Sequence, residues 1–318
     1  MRAVVVASVS ALTLLGIGVA NAAAAACEGS TATIVGTPGS DRIEGTPGPD
    51  VIAALGGNDV VRARSDNDLV CGGGGNDRIY GQLNRNSELD VERLYGGPGQ
   101  DVIRGGAGVD RLLGGGDDDR LLAGAGFDYL FGNSGDDYMD GALAGGRGSL
   151  QDGGTGNDTI LGAHHRDRLL GGPGNDQLSG FTYGDRLDGE DGDDLLRGGS
   201  NDDRGPDVLR GGDGADRVYG GRGGVRGRPT LEKLYGDAGA DELYGGPGDE
   251  VIHGGPDNDL LVADPTPPVH RRGHSQLFGE GGDDTLNAVN DAPTDTLDGG
   301  AGTDACNGDP GDTIAGCP

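Results

Sequence analysis

The sequence predicts an all-β fold, a parallel solenoid of the β-roll or β-helix type built from GGxGxDxUx nonapeptide repeats, with loop insertions on one edge. Three features of the chain point to it. Residues 171–179 read GGPGNDQLS, and the same order of residue types returns at 72–80 (GGGGNDRIY), 96–104 (GGPGQDVIR), 153–161 (GGTGNDTIL) and 211–219 (GGDGADRVY). The composition suits a stack of coils rather than a globule: 70 of 318 residues are glycine, tryptophan is absent and aromatics make up 4%. That leaves material for a thin internal file of aliphatic side chains, which stacked repeats can bury. Finally, insertions into the repeat fall on units of one parity, which a coil made of two units places on one edge.

Each nonapeptide divides into a turn and a strand on elementary grounds. Glycines at positions 1, 2 and 4 permit backbone conformations closed to bulkier residues. The aliphatic residue at position 8, flanked by variable ones, has the alternation of a half-buried strand. A six-residue turn followed by a three-residue strand results, with the central side chain pointing inward. Two units complete one coil, so units of odd rank stack on one edge and units of even rank on the other. Counted from Gly36 there are about 28 units. The inward file on the odd side is Ile43, Val61, Ile79, Ile103, Leu121, Met139, Ile160, Leu178, Leu196, Val218, Leu243, Leu261 and Leu286, ending in Cys306.

The lengthened units, 81–95, 141–152, 198–210, 220–235, 263–278 and 288–298, all have even rank. Other even units lose the template in place: His164-His165 and Thr182-Tyr183 stand where turn glycines belong, and Glu250 replaces the aspartate. One continuous edge and one decorated, interrupted edge are therefore expected.

Residues 1–26 combine Arg2, an apolar run over 3–19 and the small-x-small triplet Ala20-Asn21-Ala22. This is the form of a cleaved secretory signal. It would be followed by an N-terminal cap at 27–35 and one repeat domain over 36–318. A membrane anchor is the alternative, although the run is short against the roughly 20 residues of a span; acylation at Cys27 is another. Secretion to an oxidising, extracellular compartment agrees with four cysteines near the two ends of the mature chain. Cys306 and Cys317 are placed to close a small loop, leaving Cys27 with Cys71 to tie the cap to the first coils.

The formal net charge is −29. So acidic a chain has no face to neutralise phosphates, which argues against nucleic acid and against anionic membrane surfaces; no membrane insertion is expected after signal cleavage. The chain lacks an HExxH helix, a Gly-x-Ser-x-Gly elbow and a P-loop. Of the five histidines, His164, His165, His253, His270 and His274, the last two have helical spacing but lie in PTPPVHRRGH, where proline opposes a helix. No enzymatic activity is expected.

The repeats quoted above resemble the RTX, or hemolysin-type calcium-binding, nonapeptide family over nearly the whole mature chain. The resemblance implies multiple Ca²⁺ ions held in the turns, since a hard dication takes six to eight oxygens from carboxylates, carbonyls and water. The implied ligands on the odd edge are Asp41, Asp59, Asp77, Asp101, Asp119, Asp137, Asp158, Asp176, Asp194, Asp216, Asp241, Asp259, Asp284 and Asp304. On the even edge they are Asp50, Asp110 and Asp128. Apo chains would carry a column of like charges and the full entropy of their glycines, so folding is expected to couple to metal binding.

The functional expectation is a secreted calcium-binding protein with a structural or interaction role outside the cell, calcium being its first partner. The even-edge loops at 222–233 and 265–274 are the expected contact sites for an extracellular or cell-wall partner. A cell-surface adhesin and a loop-borne hydrolase acting on polysaccharide are the alternatives.

Overall fold

A stretch of one aliphatic residue between two variable ones cannot bury its side chain alone; it does so only when an identical stretch stacks on either side. The computed structural model describes residues 4–5, 25–82, 91–141, 148–200, 205–222, 231–264, 274–290 and 294–318. Most of the apolar N-terminal run and the interiors of the lengthened even units, including most of the 222–233 and 265–274 loops, lie outside the described residues. The chain divides into two units, Met1–Ser134 and Gly135–Pro318. Each is a parallel β-solenoid, and no helix occurs among the described residues.

In the first unit one sheet runs in order through Arg42–Glu44, Val60–Arg64, Arg78–Gln82, Val102–Ala107 and Arg120–Ala125. The other runs through Ile34–Val35, Val51–Ala53, Leu69–Cys71, Arg93–Pro98, Arg111–Gly116 and Asp128–Ser134. In the second unit the sheets extend from Tyr138–Asp140 to Ala305–Asn307 and from Ser149–Thr155 to Thr313–Ala315. Within each unit the solenoid strands pair with the next but one in sequence, as two repeats per coil require; Ala26–Cys27 and Ser30–Thr31 form a separate antiparallel pair, and Val4–Val5 pairs with Arg42–Glu44. Within each unit the ends of the lengthened repeats accordingly join the same two sheets in the same direction.

Register places like on like: Val61 pairs with Ile43 and Ile79, and Leu178 with Ile160 and Leu196. The inward odd file from Ile43 to Leu286 is fully buried, each side chain worth about 1.5–3 kcal/mol in removal from water. Cys306 at its end is half-buried. The opposite file is aliphatic except at Gln151. That amide is fully buried and donates to Leu161 O at 2.7 Å and Ser149 Oγ at 2.9 Å, while Ser149 Oγ donates to Asp167 Oδ1 at 2.8 Å. Both disulfides form as the spacing suggested, Cys27 with Cys71 and Cys306 with Cys317.

The strands differ from expectation in length. Arg168–Pro173, Gln177–Thr182 and Val208–Asp213 run six residues, from position 7 through position 3 of the next unit. The first half of the turn pairs across coils as well, with Gly172 opposite Glu190 and Pro173 opposite Asp191. This path demands left-handed residues at positions 2 and 4. Apart from Glu28, every non-glycine residue with positive φ occupies one of those positions, among them Leu55, Asp117, Phe181, Tyr183 and Glu280.

Outward positions also form columns. The Arg210 guanidinium lies 4.7 Å over the Tyr235 ring, which stacks on His253 at 5.2 Å, which stacks on Phe278 at 4.9 Å.

Candidate metal centre

Position 6 closes each turn and points its side chain back under the turn backbone. All the aspartates expected to ligate metal are there, none more than 6% exposed. Stacking brings same-edge aspartates together and gives their two oxygens different fates.

The first oxygen belongs to the neighbouring coil. In the first unit the Asp41 N–H donates to Asp59 Oδ1 and the Asp59 N–H to Asp77 Oδ1, both at 2.7 Å; Asp77 donates to Asp101 and Asp101 to Asp119. In the second unit the chain of donors runs from Asp137 through Asp158, Asp176, Asp194, Asp216, Asp241, Asp259 and Asp284 to Asp304, at 2.6–2.9 Å. Hydrogen bonds to an ionised acceptor are the stronger kind, and here each carboxylate also satisfies a buried N–H.

The even edge is more complete than the sequence suggests. Asp50 donates to Asp68, Asp110 to Asp128, Asp167 to Asp185 and Asp185 to Asp207, all at 2.8–2.9 Å. Asp68, Asp167, Asp185 and Asp295 were missed because their turns lack template glycines, and Asp207 because an insertion separates it from Gly198 and Gly199. A second signal finds them: each lies two residues before an inward aliphatic, respectively Val70, Leu169, Leu187, Leu209 and Leu297. Glu92, Ser149, Glu232, Glu250 and Ser275 hold the same buried place with other side chains.

The odd edge carries a second ladder, at position 5, running in the opposite direction. Asn76 N–H donates to Asn58 Oδ1 at 3.0 Å, Asn175 to Asn157 at 2.9 Å, Asp193 to Asn175 at 3.0 Å and Ala215 to Asp193 at 2.9 Å. On the even edge this ladder is interrupted: the Val91 N–H donates to Asn67 Oδ1 at 2.7 Å and the His274 N–H to Asp249 Oδ1 at 2.8 Å, whereas Val109, Phe127, Gly148 and Gly184 have no side-chain acceptor at this position.

The second carboxylate oxygen is the unusual one. Oδ2 of Asp59, Asp77, Asp101, Asp158, Asp176, Asp185, Asp194, Asp216, Asp241, Asp259, Asp284 and Asp304 is buried without a hydrogen-bond partner among the described residues. A carboxylate so placed is costly unless a proton or cation compensates it. Burial pushes Asp176 up to about 7, Asp194 to about 8 and Asp185 to about 9, against the N–H each accepts and with repulsion from neighbouring carboxylates adding to the rise.

The position-1 glycine admits this oxygen. A Cβ on Gly72 would stand 2.3 Å from Asp77 Oδ2 and 2.8 Å from Gly96 O of the next coil; on Gly171, 2.3 Å from Asp176 Oδ2 and 2.6 Å from Gly189 O. An anionic oxygen and a neighbouring carbonyl thus converge where only a hydrogen fits. Among the described residues no three His, Cys, Asp or Glu side chains meet at a point, so a bound ion would draw its other oxygens from turn carbonyls and water. An all-oxygen donor set with one carboxylate per turn fits a hard dication such as Ca²⁺, and offers nothing to a metal that seeks nitrogen or sulfur. The ion would supply the positive charge that the column of aspartates lacks.

Fold and site together define an acidic parallel β-solenoid with cation-binding turns. Matches to the RTX calcium-binding nonapeptide repeat cover residues 35–70, 56–86, 90–121, 113–146, 152–178, 179–204, 203–224, 232–261, 271–292 and 294–315. The chain belongs to this family of calcium-binding repeat proteins. It matches no curated protein.

Proposed function

We propose that the protein is a secreted calcium-binding solenoid that folds as calcium binds and then serves a structural or interaction role outside the cell. The observation that carries this is the set of buried, unpartnered Oδ2 atoms, which exist only in the stacked state and which a dication would satisfy. Ligands drawn from different coils make binding free energy into folding free energy. Magnesium holds its water more tightly and demands stricter octahedral geometry, so it substitutes poorly. Export is supported by the signal-like residues 1–26 and by two disulfides, which suit an oxidising compartment.

Far-UV circular dichroism of the mature chain during a calcium titration, with magnesium and chelator controls, tests the proposal. A calcium-selective gain of β signal is expected. A β-rich spectrum unchanged by exhaustive chelation would refute metal-driven folding.

A further inference from the structure

Four turns share one backbone detail. Thr37, Thr46, Ala163 and Asp309 occupy position 2 without the left-handed φ of Leu55, Gly73, Gly172, Glu190 and most other position-2 residues. Their N–H groups donate to Oδ2 of the aspartate closing their own turn: Thr37 to Asp41 at 2.5 Å, and Thr46 to Asp50, Ala163 to Asp167 and Asp309 to Asp312, each at 2.6 Å.

The turns with orphaned Oδ2 atoms show the opposite arrangement. Position 2 is Leu55 (φ 82°) before Asp59, Gly73 (φ 103°) before Asp77, Gly172 (φ 111°) before Asp176 and Glu190 (φ 76°) before Asp194. There the position-2 N–H faces the next coil: Gly73 donates to Gly96 O at 2.8 Å. In these turns the position-2 N–H goes to its own aspartate where φ is not left-handed and toward the adjacent coil where it is; Val289, also not left-handed, donates instead to Asn287 Oδ1 at 3.2 Å.

We infer that the backbone at position 2 decides which turns take calcium: Asp41, Asp50, Asp167 and Asp312 close self-capped turns that need no metal, whereas Asp59, Asp77, Asp176, Asp194 and their left-handed equivalents bind it through Oδ2. In a self-capped turn the N–H occupies the oxygen that a cation would claim and already compensates its charge.

Asp41 and Asp50 close the two turns of the first coil, both reading GTPG at positions 1–4. There the threonine hydroxyl bridges the turn as well, Thr37 Oγ1 to Gly39 O at 3.2 Å and Thr46 Oγ1 to Gly48 O at 3.1 Å. This coil, bracketed by the disulfide between Cys27 before it and Cys71 in the following coil, is a metal-independent platform on which calcium-dependent coils can stack. The sequence GTPG thus marks a non-binding repeat.

The inference rests on the calcium-binding proposal, and native mass spectrometry of the mature chain separates the two. If the wild type takes up no calcium, the proposal itself fails; if it binds, the stoichiometries of two paired variants decide the inference. D41N/D50N is expected to retain the full calcium count, because asparagine keeps an oxygen for the Thr37 and Thr46 N–H groups and those turns hold no ion. D59N/D77N is expected to lose at least two ions. Loss of calcium by D41N/D50N, or an undiminished count in D59N/D77N, would overturn the inference. Should D59N/D77N fail to fold, the count on D41N/D50N alone decides.

Discussion

Replacing Gly171 with alanine tests whether converging oxygens dictate glycine at position 1. Its backbone is not left-handed, so elsewhere the change would stabilise by about 0.4–1 kcal/mol through the unfolded chain. Here the added carbon would stand 2.3 Å from Asp176 Oδ2 and 2.6 Å from Gly189 O. Neither oxygen moves freely: Asp176 accepts the Asp158 N–H through its other oxygen at 2.6 Å, and Gly189 lies within the strand Arg186–Asp191. Overpacking of this kind costs about 1–3 kcal/mol, so the net expectation is a loss of about 1–2 kcal/mol. Gly281→Ala is the internal control, since nothing lies within 4 Å of a Cβ there; it should match or exceed the wild type. Urea unfolding followed by circular dichroism in saturating calcium measures both. Equal stability of Gly171→Ala and Gly281→Ala would mean that the turn has room, and the account of position 1 would be wrong.

The metal-free chain should respond to pH in the sense opposite to ordinary acid denaturation. Folded-state values of about 6 for Asp59, about 7 for Asp176, about 8 for Asp194 and about 9 for Asp185 lie above the usual carboxylate value near 3.8. Their contribution is therefore fully present near pH 4 and is lost as pH rises through 6 to 9. Acidification in chelator should increase the β signal, and a decrease on lowering the pH from 9 to 5 would contradict the burial of these groups. The disulfides close loops with sequence separations of 44 and 11 residues. On chain entropy, C27S/C71S should lose about 4 kcal/mol and C306S/C317S about 3; the reverse order in chemical denaturation would show that something other than loop length dominates.

Parity was legible because the repeat is nearly uniform: an insertion changes length without changing which sheet the following strand joins. The inward files were legible for a related reason, since position 8 is the only position of the unit that is consistently aliphatic. The even-edge aspartates were harder to see. Asp68 and Asp185 sit in turns whose glycines are replaced by Arg64 and Asp66, or by Phe181 and Tyr183, and these residues adopt the left-handed conformations usually left to glycine. Burial of Val70 and Leu187 two residues later, together with pairing across the coil, holds the turns in shape despite that cost.

Composition and periodicity by themselves determined that the chain is a stack of glycine-aspartate turns and short strands, and which residues face inward. These follow from local residue type repeated at fixed spacing. Only the tertiary structure decided the fate of each carboxylate oxygen: that Oδ1 accepts an N–H one coil away, and that Oδ2 is either capped by its own turn or left for a cation. Those outcomes depend on the backbone path and N–H partner at position 2 and on the neighbouring coil, and a linear pattern carries neither.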